Sequence, residues 1–451
     1  MTLTAPPPLL TRAGLADRGA ARATPPPRVV HMGAGAFHRT HQAWYTARAH
    51  DAAAWGIAAF TGRRPRVAEQ LAAQDGLFTL VERGPQGDRF AVIDSIREAH
   101  PATAHDRFIA LMTAAATAVV TLTVTEAGYH LDARGDLDLD DAAVASDVAA
   151  LGAGDAAAGL QTPVARLTHA LHLRHESGAG PLAVVSCDNI PDNGGTLQRA
   201  VAVFASACGW DAAPWRASFV ATSVDRITPH TTAADLQLVA DETGWSDEAA
   251  VVAEPFADWV LSGDFPAGRP AWEDSGARFV DAVEPYEQRK LLMLNGGHLA
   301  LAFRGLLRGH ATVAEAMTDP VCRDALERFW DEAARALDPV ADPGAYRAAL
   351  AERFHNARIA HRLGQIAVDT ATKLRLRVVP VISAERAAGR DADASLAIVR
   401  DWARGIRTGV FGDPGDAGKL HEILLPGLDP ADATLITAAL DEPHDSKERP
   451  T

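Results

Sequence analysis

Residues 28–60, "RVVHMGAGAFHRTHQAWYTARAHDAAAWGIAAF", contain the pattern that decides the fold. An apolar β-rich run ends at a glycine turn, a helical segment follows near 37–50, and a second apolar run, "WGIAAF", completes the unit. A strand, a glycine turn, a helix and a second strand in this order open a doubly wound parallel sheet. We therefore predict an α/β Rossmann-like N-terminal domain.

Later parts of the chain extend this sheet and then change character. Apolar β-rich runs recur at "TAVVTLTV" (117–124), "PLAVVSC" (181–187) and "SFVATSV" (218–224). From about 284 the apolar residues follow helical spacing, which predicts a mostly α-helical C-terminal domain, with "RLRVVPVI" (375–382) left unassigned. The predicted organisation is an N-terminal arm (1–27), a Rossmann-like dinucleotide-binding domain (28–283) and a mostly helical substrate and catalytic domain (284–451).

Composition and charge limit the possible partners. The 451 residues carry a formal net charge of -15, so nucleic acid and anionic membranes would repel the average surface, and a small molecule fits better. The three cysteines are widely separated, and the sequence shows neither a signal peptide nor an apolar run long enough for a membrane span. We expect a cytoplasmic protein without a nucleic-acid or membrane partner.

The glycine turn is the first candidate binding site. Gly33 and Gly35 follow a strand and precede a helix, where backbone N–H groups can approach a pyrophosphate, although His38 occupies the third glycine position. A GxG pair alone fits a structural turn equally well, and its strand–turn–helix context favours a nucleotide. The candidate cofactor-binding residues are Gly33, Gly35, Ala36, Phe37, Arg63 and Arg64.

The end of the second predicted strand bears on the choice between NAD and NADP. An acidic residue usually binds the ribose hydroxyls there, but this chain has Arg63, Arg64 and Arg66 in "TGRRPR". The arginines can bind the 2′-phosphate of NADP or form a solvated loop without a role in cofactor binding. Both interpretations stay open, so the cofactor is NAD or NADP.

Polar residues follow two later strands in the same way. Asn189 lies in "SCDNIPDNGG", and Asp225 and Arg226 lie in "SVDRITPH", at carboxyl ends where α/β sheets form ligand crevices. Asp188, Asn189 and Asn193 also suit an ordinary turn. These residues are therefore candidates rather than assignments.

The segment "RKLLMLNGGHLALAF" (289–303) places polar residues in an apolar helical run. On an α-helix Lys290 and His298 differ by about 80° and Asn295 and His298 by about 60°, so one face carries all three. Desolvation favours a neutral lysine that can accept a proton, and an amide can stabilise charge on a substrate oxygen. Gly296 and Gly297 indicate a close approach by cofactor, substrate or another backbone. The alternative is a lysine that extends to solvent beside a core histidine.

The chain resembles the long-chain polyol dehydrogenases, the mannitol 2-dehydrogenase and fructuronate (mannonate) reductase family, over nearly its whole length. The resemblance is carried by "VVHMGAGAFHRTHQAWYT" (29–46), "VTLTVTEAGYHLD" (120–132), "SCDNIPDNG" (186–194), "VDRITPH" (224–230), "EPFADWVLSGDFPAGRP" (254–270) and "PYEQRKLLMLNGGH" (285–298). It implies a Rossmann-like domain followed by a helical domain. It also implies metal-independent hydride transfer between nicotinamide and a sugar alcohol or sugar acid.

The resemblance also implies residue roles. Lys290 would be the general base and, in reverse, the general acid, while Asn189 and Asn295 would bind the developing alkoxide. His298 and Asp225 would position substrate or support the lysine, and Glu287 would assist proton movement.

Three residues near 365–375 bear on substrate selection. Lys373 matches a substrate-contacting lysine of the family. Gln365 stands where mannitol 2-dehydrogenases have arginine and looks more like the fructuronate reductases, whereas "DRITPHTT" (225–232) looks more like the mannitol enzymes. Arg375 replaces a proline that commonly follows "KL". The resemblance is compatible with a monomer.

Two functions from other classes are alternatives to this one. A catalytically silent nucleotide-binding or redox-sensing protein is motivated by the atypical glycine turn and by Gln365, and the Lys290, Asn189, Asn295 and His298 set argues against it. The other alternative is a metal hydrolase. The sequence lacks the HExxH motif or similarly tight ligand spacing that such an enzyme needs, so no metal site is predicted.

Overall fold

The computed structural model describes residues 6–154, 159–412, 422, 424–426 and 428–441. The chain divides into two compact units, Met1–Val283 and Glu284–Thr451, called unit 1 and unit 2 below. Unit 1 combines helices with strands, and the elements described in unit 2 are helical. None of the described helices has both the length and the hydropathy needed to cross a membrane.

Unit 1 alternates strands and helices. Its strands are β1 (Pro27–Met32), β2 (Gly56–Phe60), β3 (Phe78–Gly84), β4 (Gly87–Ile93), β5 (Ile96–His100), β6 (Val119–Leu122), β7 (Leu182–Ser186), β8 (Ala217–Asp225), β9 (Val251–Ala253), β10 (Asp258–Ser262) and β11 (Arg278–Phe279). Its helices are α1 (Arg12–Asp17), α2 (Ala36–Thr40), α3 (Gln42–Arg48), α4 (Arg66–Ala73), α5 (His105–Met112), α6 (Ala142–Gly152), α7 (Pro163–Ser177), α8 (Asn193–Ala207) and α9 (Ala233–Thr243). Short 3-10 turns lie at Ala52–Ala54, Glu126–Tyr129 and Trp272–Ser275.

The main sheet confirms the predicted α/β class. Its strand order is β11-β10-β8-β7-β6-β1-β2-β5, parallel from β8 to β5, with β10 antiparallel to β8. Successive residues of β1 enter different cores, Val29 on one face and Val30 on the other, because both faces are covered. The chain moves to opposite sides of β1 to form β2 and β6. Such a switch point opens a crevice at the carboxyl ends of the strands.

A second sheet, which the sequence analysis did not predict, has the order β4-β3-β9. The β3–β4 hairpin is antiparallel, and β9 pairs parallel with β3. The segment before β1 packs on unit 1, where Leu10 and Leu15 are buried in a cluster with Leu77 and Trp245.

The single helix predicted near 37–50 is wrong. The segment forms α2 and α3, separated at His41, whose φ of -119° and ψ of -92° are not helical. Residues 38–46 are all buried, so packing on every side decides the backbone path here rather than one apolar helix face.

Unit 2 is built around one buried helix. Its elements are α10 (Glu284–Arg289), a π-helical turn (Lys290–Asn295), α11 (Gly296–Leu307), α12 (Val313–Thr318), α13 (Pro320–Arg335), α14 (Pro343–Phe354), α15 (Leu363–Ile366), α16 (Thr370–Arg377), α17 (Val379–Ala387), α18 (Asp393–Arg407) and α19 (Pro430–Asp441), with a 3-10 turn at Pro339–Ala341. Helix α11 packs against α13, α15 and α18. The unassigned stretch 375–382 is helical, and Pro380 lies in the first turn of α17, where proline is tolerated.

Candidate active site

The turn after β1 has a shape that requires glycine. Gly33 has a φ of 103°, and a Cβ there would lie 2.2 Å from the carbonyl oxygen of Thr123. The N–H groups of Gly33 and Ala34 both donate to the carbonyl oxygen of Phe60 at 2.8 Å. Thr123 Oγ1 donates to the Gly33 carbonyl at 2.9 Å. The turn is thus fixed to the ends of β2 and β6, at the switch point of the sheet.

Gly35 serves a different purpose from Gly33. Its backbone is extended, it directly precedes α2, and a Cβ there would meet nothing closer than the Gly33 carbonyl at 3.6 Å. Ala36 and Phe37 are half-buried, and the Phe37 ring stacks on His41 at 4.9 Å. Because packing does not require a glycine at position 35, the missing side chain leaves room for a close ligand. The residues present fit a pyrophosphate.

His38 replaces the third glycine of a dinucleotide turn without leaving a gap. Its ring lies flat on His31 of β1, with centroids 3.4 Å apart and planes 9° apart. Burial lowers the pKa of His31 to about 3 and the pKa of His38 well below its usual value. Both rings are therefore neutral, and their stacking provides the close helix–strand packing that a glycine usually allows.

The candidate arginines lie in an exposed loop beside this turn. The loop begins at Thr61, directly after Phe60, and the Thr61 N–H donates to the carbonyl of His100 at 2.9 Å. Arg63, Arg64 and Arg66 are exposed, and within the described residues they have no ion-pair partner. Their charges are available to an anion.

Asn189 is exposed at the carboxyl end of β7. The loop that carries it is fixed by Asn193, whose Nδ2 donates to the carbonyls of Asp188 and Thr222, each at 2.8 Å. Asn193 Oδ1 accepts from the Thr222 N–H at 2.9 Å. Asn193 is therefore a structural residue that joins β7 to β8.

Asp188, which the sequence analysis treated as a turn residue, has a buried carboxyl group. Its Oδ1 accepts from the Val124 N–H at 2.6 Å, and its Oδ2 accepts from the Tyr129 hydroxyl. Burial raises the pKa of Asp188 to about 7, against hydrogen bonds from Tyr129 and Val124 that lower it. An acid two residues after a fully buried strand was the available signal.

Asp225 is the last residue of β8 and Arg226 follows it, and the two side chains have different surroundings. Asp225 is buried and lies opposite Asp258 of the antiparallel β10. The Arg226 guanidinium donates to the Thr40 carbonyl at 2.5 Å and to Glu82 at 2.8 Å. Arg226 therefore connects α2 to the second sheet, and its guanidinium binds groups of unit 1.

In unit 2, Lys290 and Asn295 begin and end the π-helical turn. The α-helical angles expected for this segment are therefore wrong, because hydrogen bonds span five residues here, as from the Gly296 N–H to the Leu291 carbonyl. Residues five apart stand one turn apart in a π-helix, so Lys290 and Asn295 share a face. The Met293 carbonyl accepts from Trp330 Nε1 at 2.9 Å. Such turns occur frequently at functional sites.

The two glycines after this turn are explained by helix packing. A Cβ at Gly296 would lie 2.8 Å from the Phe329 ring, and one at Gly297 would lie 2.8 Å from Trp330 Nε1. A Cβ at Gly296 would also lie 3.2 Å from the Arg377 carbonyl oxygen, so the expected close approach by another backbone occurs there, beside the closer aromatic side chains of α13.

His298 is buried in the first turn of α11. Its ring stacks on Phe354 at 4.6 Å and meets His361 edge-on at 4.7 Å. Burial, followed by His361 and Arg353, lowers the pKa of His298 well below its usual value, so the ring is neutral. Its Nε2 has no hydrogen-bond partner among the described residues. A polar ligand atom would satisfy this nitrogen.

The remaining candidates lie on other parts of unit 2. Glu287 is half-buried on α10, three residues before Lys290. The Lys373 ammonium donates to the carbonyls of Ile366, at 3.3 Å, and Val368, and burial lowers its pKa. Gln365 is exposed on α15.

Among the described residues, His310, Asp319 and Cys322 have potential metal-ligand atoms within 4.8 Å of one another. Asp319 also accepts from Arg308 at 2.6 Å and from His310 at 2.8 Å. The arginine already supplies the positive charge that a metal ion would bring.

Comparison with known proteins gives a consistent result for both units. Residues 27–274 match the family model of the mannitol dehydrogenase Rossmann domain, and residues 282–407 match that of the mannitol dehydrogenase C-terminal domain. The chain is 38% identical to D-mannonate oxidoreductase of Escherichia coli (strain K12), over 78% of this chain and 74% of the relative. It is 34% identical to mannitol 2-dehydrogenase of Cereibacter sphaeroides, over 84% and 80%.

A solved structure agrees. The ternary complex of Pseudomonas fluorescens mannitol 2-dehydrogenase with NAD and D-mannitol is 32% identical, covers 97% of this chain and 93% of its own, and superposes with a TM-score of 0.74. Fold and comparisons together define the class, an oxidoreductase with a Rossmann-type domain followed by a helical domain. The chain belongs to the mannitol dehydrogenase family. The predicted family, fold class and enzyme class are confirmed, and the catalytically silent alternative is not favoured.

Proposed function

We propose that this protein interconverts a secondary alcohol of a polyol or aldonate with the corresponding keto sugar, with Lys290 as the general base. The observation that carries the proposal is the π-helical turn from Lys290 to Asn295, followed by the neutral, buried His298. It brings an amine, an amide and an imidazole onto one continuous segment. The names of the relatives, D-mannonate oxidoreductase and mannitol 2-dehydrogenase, support this substrate class.

The proposed roles follow from the chemistry of each side chain. In the oxidation direction Lys290 accepts the hydroxyl proton, and the amides of Asn295 and Asn189 donate hydrogen bonds to the oxygen as its charge develops. The nicotinamide ring takes up the hydride from the alcohol carbon, or returns it to the carbonyl carbon in the reverse direction.

Three further residues would assist this chemistry. The unpartnered Nε2 of His298 binds a substrate hydroxyl, and Asp225 orients the substrate or Lys290. Glu287 passes the proton between Lys290 and solvent. In carbonyl reduction the protonated Lys290 acts as the acid. We propose that no metal ion takes part, since a lysine base supplies the proton transfer that a metal-bound water would otherwise provide.

We propose that the cofactor binds in the domain of residues 28–283 and that residues 284–451 supply the substrate and catalytic residues. Gly33, Gly35, Ala36 and Phe37 would hold the pyrophosphate. The cofactor is NAD or NADP, since the exposed Arg63 and Arg64 beside this turn can each bind a 2′-phosphate with two hydrogen bonds or stay solvated beside NAD.

For the substrate, two forms of the proposal stay open. Gln365 in place of arginine favours a sugar acid such as mannonate, and Lys373 would contact the substrate in either case. The partner is thus a small sugar alcohol, keto sugar or sugar acid. We further propose that the protein acts as a monomer in the cytoplasm, where three unpaired cysteines would remain reduced.

The first experiment follows absorbance of the reduced nicotinamide with purified protein. NADH and NADPH are each combined with fructose, fructuronate, tagaturonate, ribulose and xylulose. Oxidation with a uronate but not with fructose would identify a mannonate-type enzyme, and the converse would identify a mannitol-type enzyme. No turnover with any pair would contradict the proposal.

The lysine assignment needs its own variants. We expect Lys290→Ala to lower kcat by about a thousandfold or more, because general base catalysis alone contributes about 10²–10⁴-fold. Lys290→Arg is the matched control, since it keeps the positive charge but cannot lose its proton near neutral pH. It should be equally inactive, and both variants should bind the cofactor normally in a fluorescence titration. Turnover retained by either variant would rule out Lys290 as the base.

A further inference from the structure

A buried hydrogen-bond network joins the ends of β6 and β7 directly before Asn189. Asp188 accepts from the Val124 N–H at 2.6 Å through Oδ1 and from the Tyr129 hydroxyl through Oδ2. The Tyr129 hydroxyl lies 2.6 Å from Ser186 Oγ, which also reaches Asp188 Oδ2 at 3.4 Å. The Asp188 side chain thus fixes the loop after β6 to Ser186, the last residue of β7.

The same network is connected to the glycine turn. Val124 directly follows Thr123, whose hydroxyl donates to the Gly33 carbonyl at 2.9 Å and whose N–H donates to the Met32 carbonyl at 2.9 Å. A path of hydrogen bonds and peptide bonds therefore runs from Gly33 through Asp188 to Asn189. In this path the side chain of Asp188 joins the loop after β6 to the loop after β7, and the Tyr129 hydroxyl makes a second link to Ser186.

We propose that Asp188 is a positioning residue, whose ionised carboxylate holds the backbone of Asn189 in a fixed place relative to the glycine turn. This inference rests on the proposed function, in which Asn189 binds the substrate oxygen. Asp188 itself acts only through Asn189. Small displacements of such a group reduce turnover strongly, by about a hundredfold for 1 Å.

The hydrogen-bond pattern fits the ionised form of Asp188. The Val124 N–H is a fixed donor to Oδ1, and the hydroxyls of Tyr129 and Ser186 are placed to donate to Oδ2. An ionised carboxylate only accepts hydrogen bonds, whereas a protonated one carries an O–H that competes with a donor. Protonation of Oδ2 therefore makes the Tyr129 or the Ser186 hydroxyl an acceptor, and this rearranges the hydrogen bonds between the loop after β6 and β7.

Titration of this group falls in an accessible range. Burial raises the pKa of Asp188 to about 7. Its titratable neighbours, Tyr129 and Cys187, both have pKa values raised well above their usual range, so both stay neutral when Asp188 titrates. In carbonyl reduction Lys290 acts in its protonated form, so its titration lowers kcat on the alkaline side. A loss of kcat on the acid side then reports a different group.

The test compares wild type with Asp188→Asn in carbonyl reduction, with kcat and KM measured from about pH 5.5 to about pH 8.5. Asparagine keeps the shape but turns one accepting oxygen into a donor. We expect wild-type kcat to fall on the acid side with an apparent pKa near 7. Asp188→Asn should have kcat about ten- to hundredfold lower above pH 7, no acid limb, and a nearly unchanged cofactor Kd. Tyr129→Phe, which removes one hydrogen-bond donor to Asp188, should have a kcat between those of wild type and Asp188→Asn.

Asp247 is a matched control in the same unit. It is also buried with a raised pKa, and its carboxylate binds the Thr79 N–H at 2.5 Å and Gln74 at 2.7 Å. Asp247→Asn should lower the unfolding temperature but keep the wild-type pH profile. If the wild-type enzyme turns over and the acid limb of its pH profile persists in Asp188→Asn, this inference is overturned and the proposed function still stands. A wild-type protein without any turnover would overturn the proposed function, and this inference with it.

Discussion

Gly33→Ala should disrupt the cofactor turn, and the structure gives the size of the effect. The new Cβ would lie 2.2 Å from the Thr123 carbonyl oxygen, so the strand end must retreat by about 0.8 Å to reach even a tight 3.0 Å contact. Residue 33 also has a φ of 103°, which a side chain strains. Backbone strain costs about 1–3 kcal/mol and repacking about 1–3 kcal/mol. Since the obstacle is backbone, no side-chain rotation relieves it.

The assay measures thermal unfolding and cofactor Kd for this variant beside Gly35→Ala. A loss of a few kcal/mol corresponds to roughly 5–15 °C in the unfolding of a domain of this size. Gly35→Ala should keep the wild-type unfolding temperature, because its Cβ would meet only an ordinary 3.6 Å contact. Its cofactor affinity should fall, since the methyl group occupies space proposed for the pyrophosphate. Equal unfolding temperatures for Gly33→Ala and wild type would refute the reasoning.

Two further predictions concern charge. The Arg63→Ala, Arg64→Ala double variant should weaken NADPH binding about tenfold or more and NADH binding far less, because only NADPH offers a 2′-phosphate; equal losses in a fluorescence titration would contradict this. Glu385, buried between Arg390 and Arg335 at 2.7 Å each, has its pKa lowered to about 2, first by Arg390. Glu385 stabilises the folded state fully above pH 4.5, its usual pKa, and this stabilisation is lost as the pH falls towards about 2. Glu385→Gln should therefore cost about 1.5–3 kcal/mol in urea unfolding at pH 7 and much less near pH 3, and a constant difference would exclude this role.

The doubly wound sheet could be predicted because its strands are locally distinctive. β6 and β7 are buried on both faces, so their residues are mostly apolar or β-branched, and such runs stand out in the sequence. The break at His41 could not be predicted in the same way. Residues on both sides of it are buried, and the helical spacing that marks one buried face disappears when every face is covered.

The polar residues of unit 1 show a similar limit. Sequence position indicated that Asp188, Asn189 and Asn193 follow a strand, but it did not distinguish their roles. In the structure Asn189 is exposed, while Asp188 and Asn193 are buried and bind backbone groups of the loop after β6 and of β8. Their partners, Val124 and Thr222, are distant in the chain. The distinction therefore depends on tertiary contacts that spacing does not encode.

The π-helical turn explains why an apolar run can present polar groups at all. Gly296 and Gly297 let Phe329 and Trp330 approach α11 so closely that a methyl group at either position would clash. That approach lets Trp330 Nε1 bind the Met293 carbonyl inside the turn. The packing of α13 thus stabilises the wider turn in which Lys290 and Asn295 share a face. The glycines, which looked like space for a ligand, contribute to the site indirectly, since they allow the packing that stabilises the backbone geometry of the lysine and the amide.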